Sequence, residues 1–181
     1  MREPGITPTG VERTFGDDEV IVSKTDTRGF ITYANDVFLR VAAYREEEVL
    51  GRPHSIIRHP DMPRTVFKLL WDTISAGEEI FAYVDNLAGD GAHYWVLAHV
   101  TPSFDERGRI AGYHSNRRCP SRAAVRAVSP LYRQLLAAER RQPNPVAAMA
   151  AGRALLDAEL ARHNMSYEEY VWSVITGEDA A

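Results

Sequence analysis

The sequence predicts an α+β fold in which a five-stranded antiparallel sheet carries helices on one face. Two observations predict it: short β-branched and aromatic runs stand at both ends of the block 19–117, and helical patterns lie between them. After this block the chain is Ala-rich and helical in pattern. We therefore divide it into a flexible N-terminal arm over 1–18, an α+β domain over 19–118 and a C-terminal helical extension over 119–181.

Composition excludes several classes of protein. The chain has 181 residues, of which 45% are hydrophobic and 25% are charged, as in ordinary globular domains. The net charge of -4 gives no general reason to expect nucleic-acid binding. The only cysteine, Cys119, excludes an internal disulfide framework. Because there is neither a long apolar run nor a signal-peptide pattern at the N-terminus, we expect a cytoplasmic protein without membrane insertion.

The first predicted elements are a hairpin and a short helix. Val20–Lys24 and Phe30–Ala34 are strand-like runs joined by a turn. Asn35 stands at the N-cap position of the helix that follows. Glu46–Leu50 is a possible helical turn, and His54–His59 is extended or irregular.

The longest helix before the last strands is predicted over Asp61–Ser75. Asp61 can cap it, and Pro63 suits its first turn. Its apolar residues fall at helical spacing, at Val66, Phe67, Leu70, Trp71 and Ile74.

Three strands are predicted to complete the sheet. They are Ile80–Leu87, His93–Phe104 and Arg109–Arg117, and the first two are joined by an Asp-Gly turn. A sheet with helices on one side leaves a cavity between the two layers, which is a common place for a ligand.

Three helices are predicted after the sheet. Pro130 should break or kink the first, 145–163 forms the second, and Ser166 opens the third with a capping box. Residues 115–141 hold seven Arg and one Glu, so this basic stretch is either a solvated face or a docking surface for an acidic partner. The apolar faces of these helices are expected to pack on the outer face of the sheet or on a second copy of the chain.

Several short motifs resemble those of a PAS domain, and in particular the flavin-binding PAS domain of bacterial aerotaxis receptors. They are ITYANDVF (31–38), GRPH (51–54), RHPDMP (58–63), GDG followed by HYWV (89–96), GY (112–113) and PLY (130–132). RHPDMP is the most specific, because six matched residues of unusual composition do not often coincide by chance.

The resemblance implies a redox or oxygen sensor that is not an enzyme and has no catalytic residues. FAD would lie between the sheet and the helices, and its redox state would report oxygen or electron-transport status. The signal would pass by contact to a signalling protein, such as a chemoreceptor or a component of a histidine-kinase pathway. The resemblance is also compatible with a homodimer.

The resemblance also implies cofactor-binding residues at the entrance of the long helix. Arg58, His59 and Asp61 would hold the phosphate end of FAD, because a guanidinium group and a helix N-terminus both suit phosphate oxygens. Alternatively, Asp61 only caps the helix and pairs with Arg58 at the surface.

Other candidates would lie against the flavin ring or serve only the fold. Asn35 is either a ligand-side residue or a cap, and Asn86 is either a buried partner of the ring edge or an outward-facing strand residue. Phe67, Leu70 and Trp71 would form both the core and the wall of the flavin site.

One departure from the flavin-binding pattern concerns aromatic residues. The Trp usually found shortly after the long helix is absent, so that a flanking aromatic is either lost or moved to Phe81. Tyr94 and Trp95 lie on one strand with opposite parity, so only one faces inward; we include Trp95 among the candidates.

Alternatives to a flavin sensor stay open. A haem would need an axial histidine facing the cavity, from His59, His93, His99 or His114. A metal site built on His54, His59 and Asp61 has irregular spacing, and we predict none.

The cavity could also be empty, which would make the domain a cofactor-free interaction module. A flavoenzyme would need a catalytic acid or base, for which no pattern is found. Cys119 lies outside any light-sensing cysteine motif and is expected to be an ordinary thiol.

Overall fold

The computed structural model describes residues 5–177 and has the predicted α+β architecture. Its five strands form one antiparallel sheet with the spatial order β2-β1-β5-β4-β3. The strands are β1 Ile21–Thr25, β2 Ile31–Ala34, β3 Ile80–Leu87, β4 His93–Phe104 and β5 Ile110–Arg118. They agree with the predicted strands to within about one residue at each end.

Four short or medium helical segments cover the inner face of the sheet. They are α1 Asp36–Ala42, α2 Glu46–Val49, a 3₁₀ turn at His54–Ile57 and α3 Arg64–Ser75. Side chains alternate along each strand, so even-numbered residues of β3 and β4 face these helices and odd-numbered residues face the opposite side. The apolar stripe predicted on α3 packs on this inner layer.

The start of α3 corrects the sequence prediction. The helix begins at Arg64 rather than at Asp61, and Pro63 occupies the N-cap position without a side-chain cap. The carboxylate of Glu139, far away in the chain, instead accepts hydrogen bonds from the backbone N–H groups of Arg64 and Thr65, at 2.9 and 2.8 Å. Asp61 therefore does not cap α3.

Three C-terminal helices follow β5: α4 Arg122–Arg140, α5 Pro145–Arg162 and α6 Tyr167–Thr176. Tyr132 on α4 donates a 2.7 Å hydrogen bond to the carbonyl of Tyr83, on the outer side of β3. On the same side, the rings of Phe81 and Trp172 lie 5.2 Å apart, which places α6 there. None of the helices described has the length and apolarity needed to cross a membrane.

Helix α4 runs through Pro130 without a break, so the predicted break is wrong. Pro130 is exposed, so the backbone carbonyl that lacks its intrahelical donor can bond to water. Buried Val128, Leu131 and Leu135 anchor the helix on both sides of the proline.

The arm is also more ordered than predicted. Its residues 7–13 lie along the β3–β4 turn, where the backbone N–H of Arg13 donates to the carbonyl of His93 at 2.7 Å. In return, the N–H of His93 donates to the carbonyl of Val11 at 2.9 Å. The guanidinium of Arg13 forms an ion pair with Asp90, and Phe15 is buried. The first four residues of the predicted arm lie outside the described residues.

Candidate functional site

A cavity of about 490 Å³ lies between the inner face of the sheet and α3. This volume is within the range of small-molecule and cofactor sites. Its apolar lining comes from the 3₁₀ turn, α3 and the inward-facing strand residues: Ile57, Phe67, Leu70, Trp71, Ile74, Val84, Val96, Ala98, Val100 and Tyr113. Met149 on α5 also lines it, so the C-terminal extension takes part in the wall.

The charges around this cavity have one sign. Arg28, Arg58, Arg64, Lys68 and Arg117 line it, whereas no Asp or Glu among the described residues does so. An apolar space with cations and no carboxylates is suited to a ligand that combines a flat apolar body with anionic groups.

Three of these cations lie close together, and we call Arg58, Arg64 and Lys68 the cationic rim. Arg64 and Lys68 are exposed and lie one turn apart on α3. The guanidinium of Arg58 lies 4.2 Å from the centre of the Phe67 ring. Its Nη2 makes only a long contact, 3.5 Å, with the carbonyl of Met62. Partial burial lowers the pKa of Arg58, with a smaller effect from Arg64.

A second polar group, the inner cluster, consists of Ser23, His54, Ser115 and Arg117. Nε of Arg117 donates to Oγ of Ser115 at 3.0 Å, and its Nη2 donates to Nε2 of His54 at 2.8 Å and also to Oγ of Ser23. Nη1 of Arg117 is buried, and no protein group in residues 5–177 accepts a hydrogen bond from it.

Electrostatics keep the imidazole of this cluster neutral. Desolvation of the ring, reinforced by the charge of Arg117, lowers the pKa of His54 to about 3. Because a guanidinium can only donate, Nε2 of His54 is the acceptor and the ring proton is on Nδ1. Burial lowers the pKa of Arg117 to about 10, so that this side chain is still charged at neutral pH.

The inner cluster and the cationic rim lie at different ends of the cavity. Arg58 forms a backbone bridge with Asn86 on β3, and Asn86 pairs with Tyr94 on β4. Arg117 on β5 pairs with Ala98, four residues further along β4. Two strand spacings and four residues place the Cα atoms of Asn86 and Arg117 about 16 Å apart.

Five of the ten residues predicted from the sequence line the cavity. They are Arg58, Phe67, Leu70, Trp71 and Asn86. Asn86 faces inward and is 4% exposed, and within the described residues its side chain forms no hydrogen bond, so its amide is available to a ligand. The alternative of an outward-facing Asn86 is therefore wrong.

Asn35, His59 and Asp61 do not line the cavity. Oδ1 of Asn35 caps α1 through the N–H of Phe38 at 3.0 Å, which is the structural alternative weighed above. Nδ1 of buried His59 accepts from the N–H of Asp61 at 3.1 Å. The carboxylate of Asp61 is exposed and pairs with Arg140 on α4 at 2.6 Å, so the alternative pairing with Arg58 is also wrong.

Phe81 and Trp95 were predicted to bind the cofactor, but neither lines the cavity. Both are odd-numbered residues of strands whose even-numbered residues face the cavity. Phe81 stacks on His99 with ring centres 4.1 Å apart, on the outer face of the sheet. Trp95 lies 6.2 Å from Tyr132 of α4 on the same face. Tyr94 is the inward-facing member of its pair, and neither Phe81 nor Trp95 takes the place of the missing Trp in the cavity.

Sequence reasoning missed the inner cluster and Met149. Tyr113, Ser115 and Arg117 are every second residue of β5, so their side chains lie on the same face of the sheet. Once one of them is known to point into the cavity, the other two are expected to do so as well. No comparable pattern in the sequence predicts that Met149 lines the cavity, because its position depends on how α5 packs against α3.

The described histidines and the cysteine bear on the haem, metal and light-sensing alternatives. Of the four axial candidates weighed above, none lines the cavity, and the histidine that does, His54, is bonded to Arg117. Within residues 5–177 no three His, Cys, Asp or Glu side chains converge on a possible metal position. Cys119 is likewise absent from the lining.

Comparison with known proteins agrees with this geometry. Residues 31–116 match the family model described as the PAS fold. The chain contains a PAS domain. Over 119 residues it is 42% identical to the aerotaxis receptor of Escherichia coli (strain K12), a stretch that covers 66% of this chain and 23% of the receptor. It is also 29% identical over 113 residues to the nitrogen fixation regulatory protein of Klebsiella pneumoniae, which covers 62% of this chain and 22% of that protein.

Solved structures show the same PAS architecture. A light-oxygen-voltage domain studied with a flavin analogue superposes with a TM-score of 0.55 at 21% identity, covering 61% of this chain and 83% of that one. The light-state structure of the Aureochrome1 LOV domain gives a TM-score of 0.52 at 26% identity, covering 67% and 91%. The chain spans less than a quarter of the length of the two curated relatives described above. These similarities make the domain a PAS sensor domain.

Proposed function

We propose that this PAS domain binds FAD and reports redox or oxygen status to a signalling partner without turning over a substrate. The observation that carries the proposal is the cavity itself, whose apolar walls are bordered by five cationic residues and by no carboxylate among the described residues. When bound, FAD would supply the electron chemistry, and the protein would position it and tune it. Similarity to the aerotaxis receptor supports the same ligand class.

The residues fit the two ends of FAD differently. The cationic rim offers Arg58, Arg64 and Lys68 to the pyrophosphate, since planar and pointlike cations both bind phosphate oxygens. Trp71 and Tyr113, whose rings meet edge to face at 5.5 Å, enclose the apolar part of the cavity together with Phe67. This space would take the ring system.

The experiment is a visible spectrum of the purified protein, with mass identification of the extracted cofactor. We expect a flavin spectrum and released FAD. Arg58→Ala should lower FAD affinity tenfold or more, because a charge-assisted contact with phosphate contributes about 1.5–3 kcal/mol. Arg133→Ala removes an exposed arginine of α4 and should leave affinity unchanged. A protein that stays colourless when FAD is added, or that shows a haem spectrum, would refute the proposal and favour one of the alternatives.

Signal output would use the contact between the cavity wall and the C-terminal helices. Glu139 bonds α4 to the first residues of α3, and α3 lines the cavity. A change of flavin charge would alter contacts along the part of α3 that lines the cavity, and it would shift the preferred position of α4 and α5. The partner would be a cytoplasmic signalling protein or a second copy of the chain. Hydrogen exchange in α4 and α5 should differ between oxidised and reduced protein; identical exchange would argue against this route.

A further inference from the structure

Arg117 is a buried cation for which no described residue supplies a carboxylate partner. It is 2% exposed, and it lines the cavity from β5. Its hydrogen bonds go to Ser23, Ser115 and the neutral ring of His54, and its Nη1 has none. None of these partners carries a compensating negative charge, and the ring of Phe38, whose centre is 5.4 Å from the guanidinium, offers only a cation–π contact.

An uncompensated buried charge is expensive for a folded protein, because hydroxyl and imidazole dipoles replace only part of the lost hydration. An anionic group in the cavity would compensate it. In this water-poor place the attraction would be stronger than the same attraction at the exposed rim.

We infer that Arg117 is an anion-binding residue for the ligand of this cavity, and that it makes the site bind reduced FAD more tightly than oxidised FAD. The inference rests on the proposed function. The oxidised ring is neutral. Addition of two electrons and one proton leaves the ring with one negative charge, and the electrons come from an external reductant, which is dithionite in the test below.

Arg117 is better placed than the cationic rim to distinguish the two forms. The rim residues Arg58, Arg64 and Lys68 are assigned to the pyrophosphate, whose charge is the same in both forms. They therefore raise affinity for FAD without regard to its redox state. Arg117 lies about 16 Å from the Asn86 end of the cavity, as estimated from strand spacing, and so is available to the ring.

The test measures the affinity of flavin-free protein for FAD twice, once oxidised and once under anaerobic dithionite. For the wild type we expect at least a tenfold preference for reduced FAD. In Arg117→Gln and Arg117→Met, the ratio of the affinities for reduced and oxidised FAD should be at least tenfold smaller than in the wild type. A tenfold smaller ratio corresponds to a midpoint potential of the bound flavin that is lower by about 30 mV, since the couple transfers two electrons. Arg117→Lys keeps the charge and should keep most of the preference. Lys68→Gln should lower the affinity for oxidised and for reduced FAD by the same factor.

Folding is checked separately by thermal unfolding without ligand. Arg117→Met and Arg117→Gln should unfold at temperatures no lower than the wild type, because each removes an uncompensated charge. If either neutral variant folds and keeps the preference, the inference is overturned while the proposed function stands. If the wild type binds oxidised and reduced FAD equally well, the inference about Arg117 is refuted and the proposed function stands. If the wild type binds neither form of FAD, both the inference and the proposed function are refuted.

Discussion

Glu139 of α4 holds the start of α3, and its replacement tests how firmly the C-terminal extension supports the cavity wall. The side chain is 5% exposed. Oε2 accepts from the N–H of Arg64 at 2.9 Å, and Oε1 accepts from both the N–H and Oγ1 of Thr65 at 2.8 Å. Since Pro63 supplies no side-chain cap, this carboxylate also provides the negative charge that favours a helix N-terminus.

The cost of Glu139→Ala follows from what happens to the three donors. Arg64 is exposed, so water can reach its N–H after the substitution. Thr65 is 2% exposed, so its N–H and hydroxyl would stay buried without acceptors. Each unsatisfied buried group costs about 1–3 kcal/mol, and the two share one site and do not add fully. We expect a loss of about 3 kcal/mol in the free energy of unfolding.

Urea denaturation of the variants measures this loss. Glu139→Gln keeps one oxygen for Thr65 but turns an N–H group toward the N–H of Arg64, so we expect an intermediate loss of about 1–2 kcal/mol. Glu106→Ala removes an exposed glutamate from a turn and should change stability by less than about 0.5 kcal/mol. A loss below about 1 kcal/mol for Glu139→Ala would refute the tertiary cap.

Two further predictions concern the inner cluster and the α3–α5 contact. The pKa of His54 is about 3 when folded and 6.5 as a free side chain, so the unfolded chain takes up the proton first as pH falls. Stability should therefore fall by about 1.4 kcal/mol per pH unit from pH 6.5 down toward 3, and His54→Gln should remove this part of the pH dependence in denaturation curves. Gly152→Ala would place a Cβ atom 1.9 Å from Oγ1 of Thr65 and should cost about 1–3 kcal/mol. Thr65→Ala in the same chain should recover part of that loss; additive losses would contradict the contact.

Local patterns were sufficient for the sheet and for most helices. The Asp-Gly turn between β3 and β4 needs a glycine because Gly91 has φ +86, and this requirement is visible in the sequence. The capping roles of Asn35 and Ser166 could be predicted from the sequence, because the capping side chain and the N–H group that it caps are only three residues apart. Such features depend on neighbours in the chain and not on the fold.

The errors arose where a residue's role depends on distant partners. Asp61 has the right chemistry for a cap, but Glu139 occupies that position and Asp61 pairs with Arg140. Trp95 and Phe81 have the right chemistry for a flavin wall, but strand parity turns them outward against α4 and α6. Arg117 was missed because an arginine near a strand end, here followed directly by Arg118, normally indicates a solvated position.

The placement of charge accounts for how one cavity could both hold a cofactor and respond to its state. In the proposed complex, cations at the exposed rim would act on groups whose charge is constant, so they would govern affinity. Arg117 would act on the part of the ligand whose charge changes, so it would govern the difference between redox states. Because α3 lines the cavity and is bonded to α4 through Glu139, a force that follows the ligand's charge would reach the C-terminal helices through this buried carboxylate as well as through Met149 and Gly152 of α5. Loss of Glu139 should therefore weaken the response of those helices more than it weakens binding.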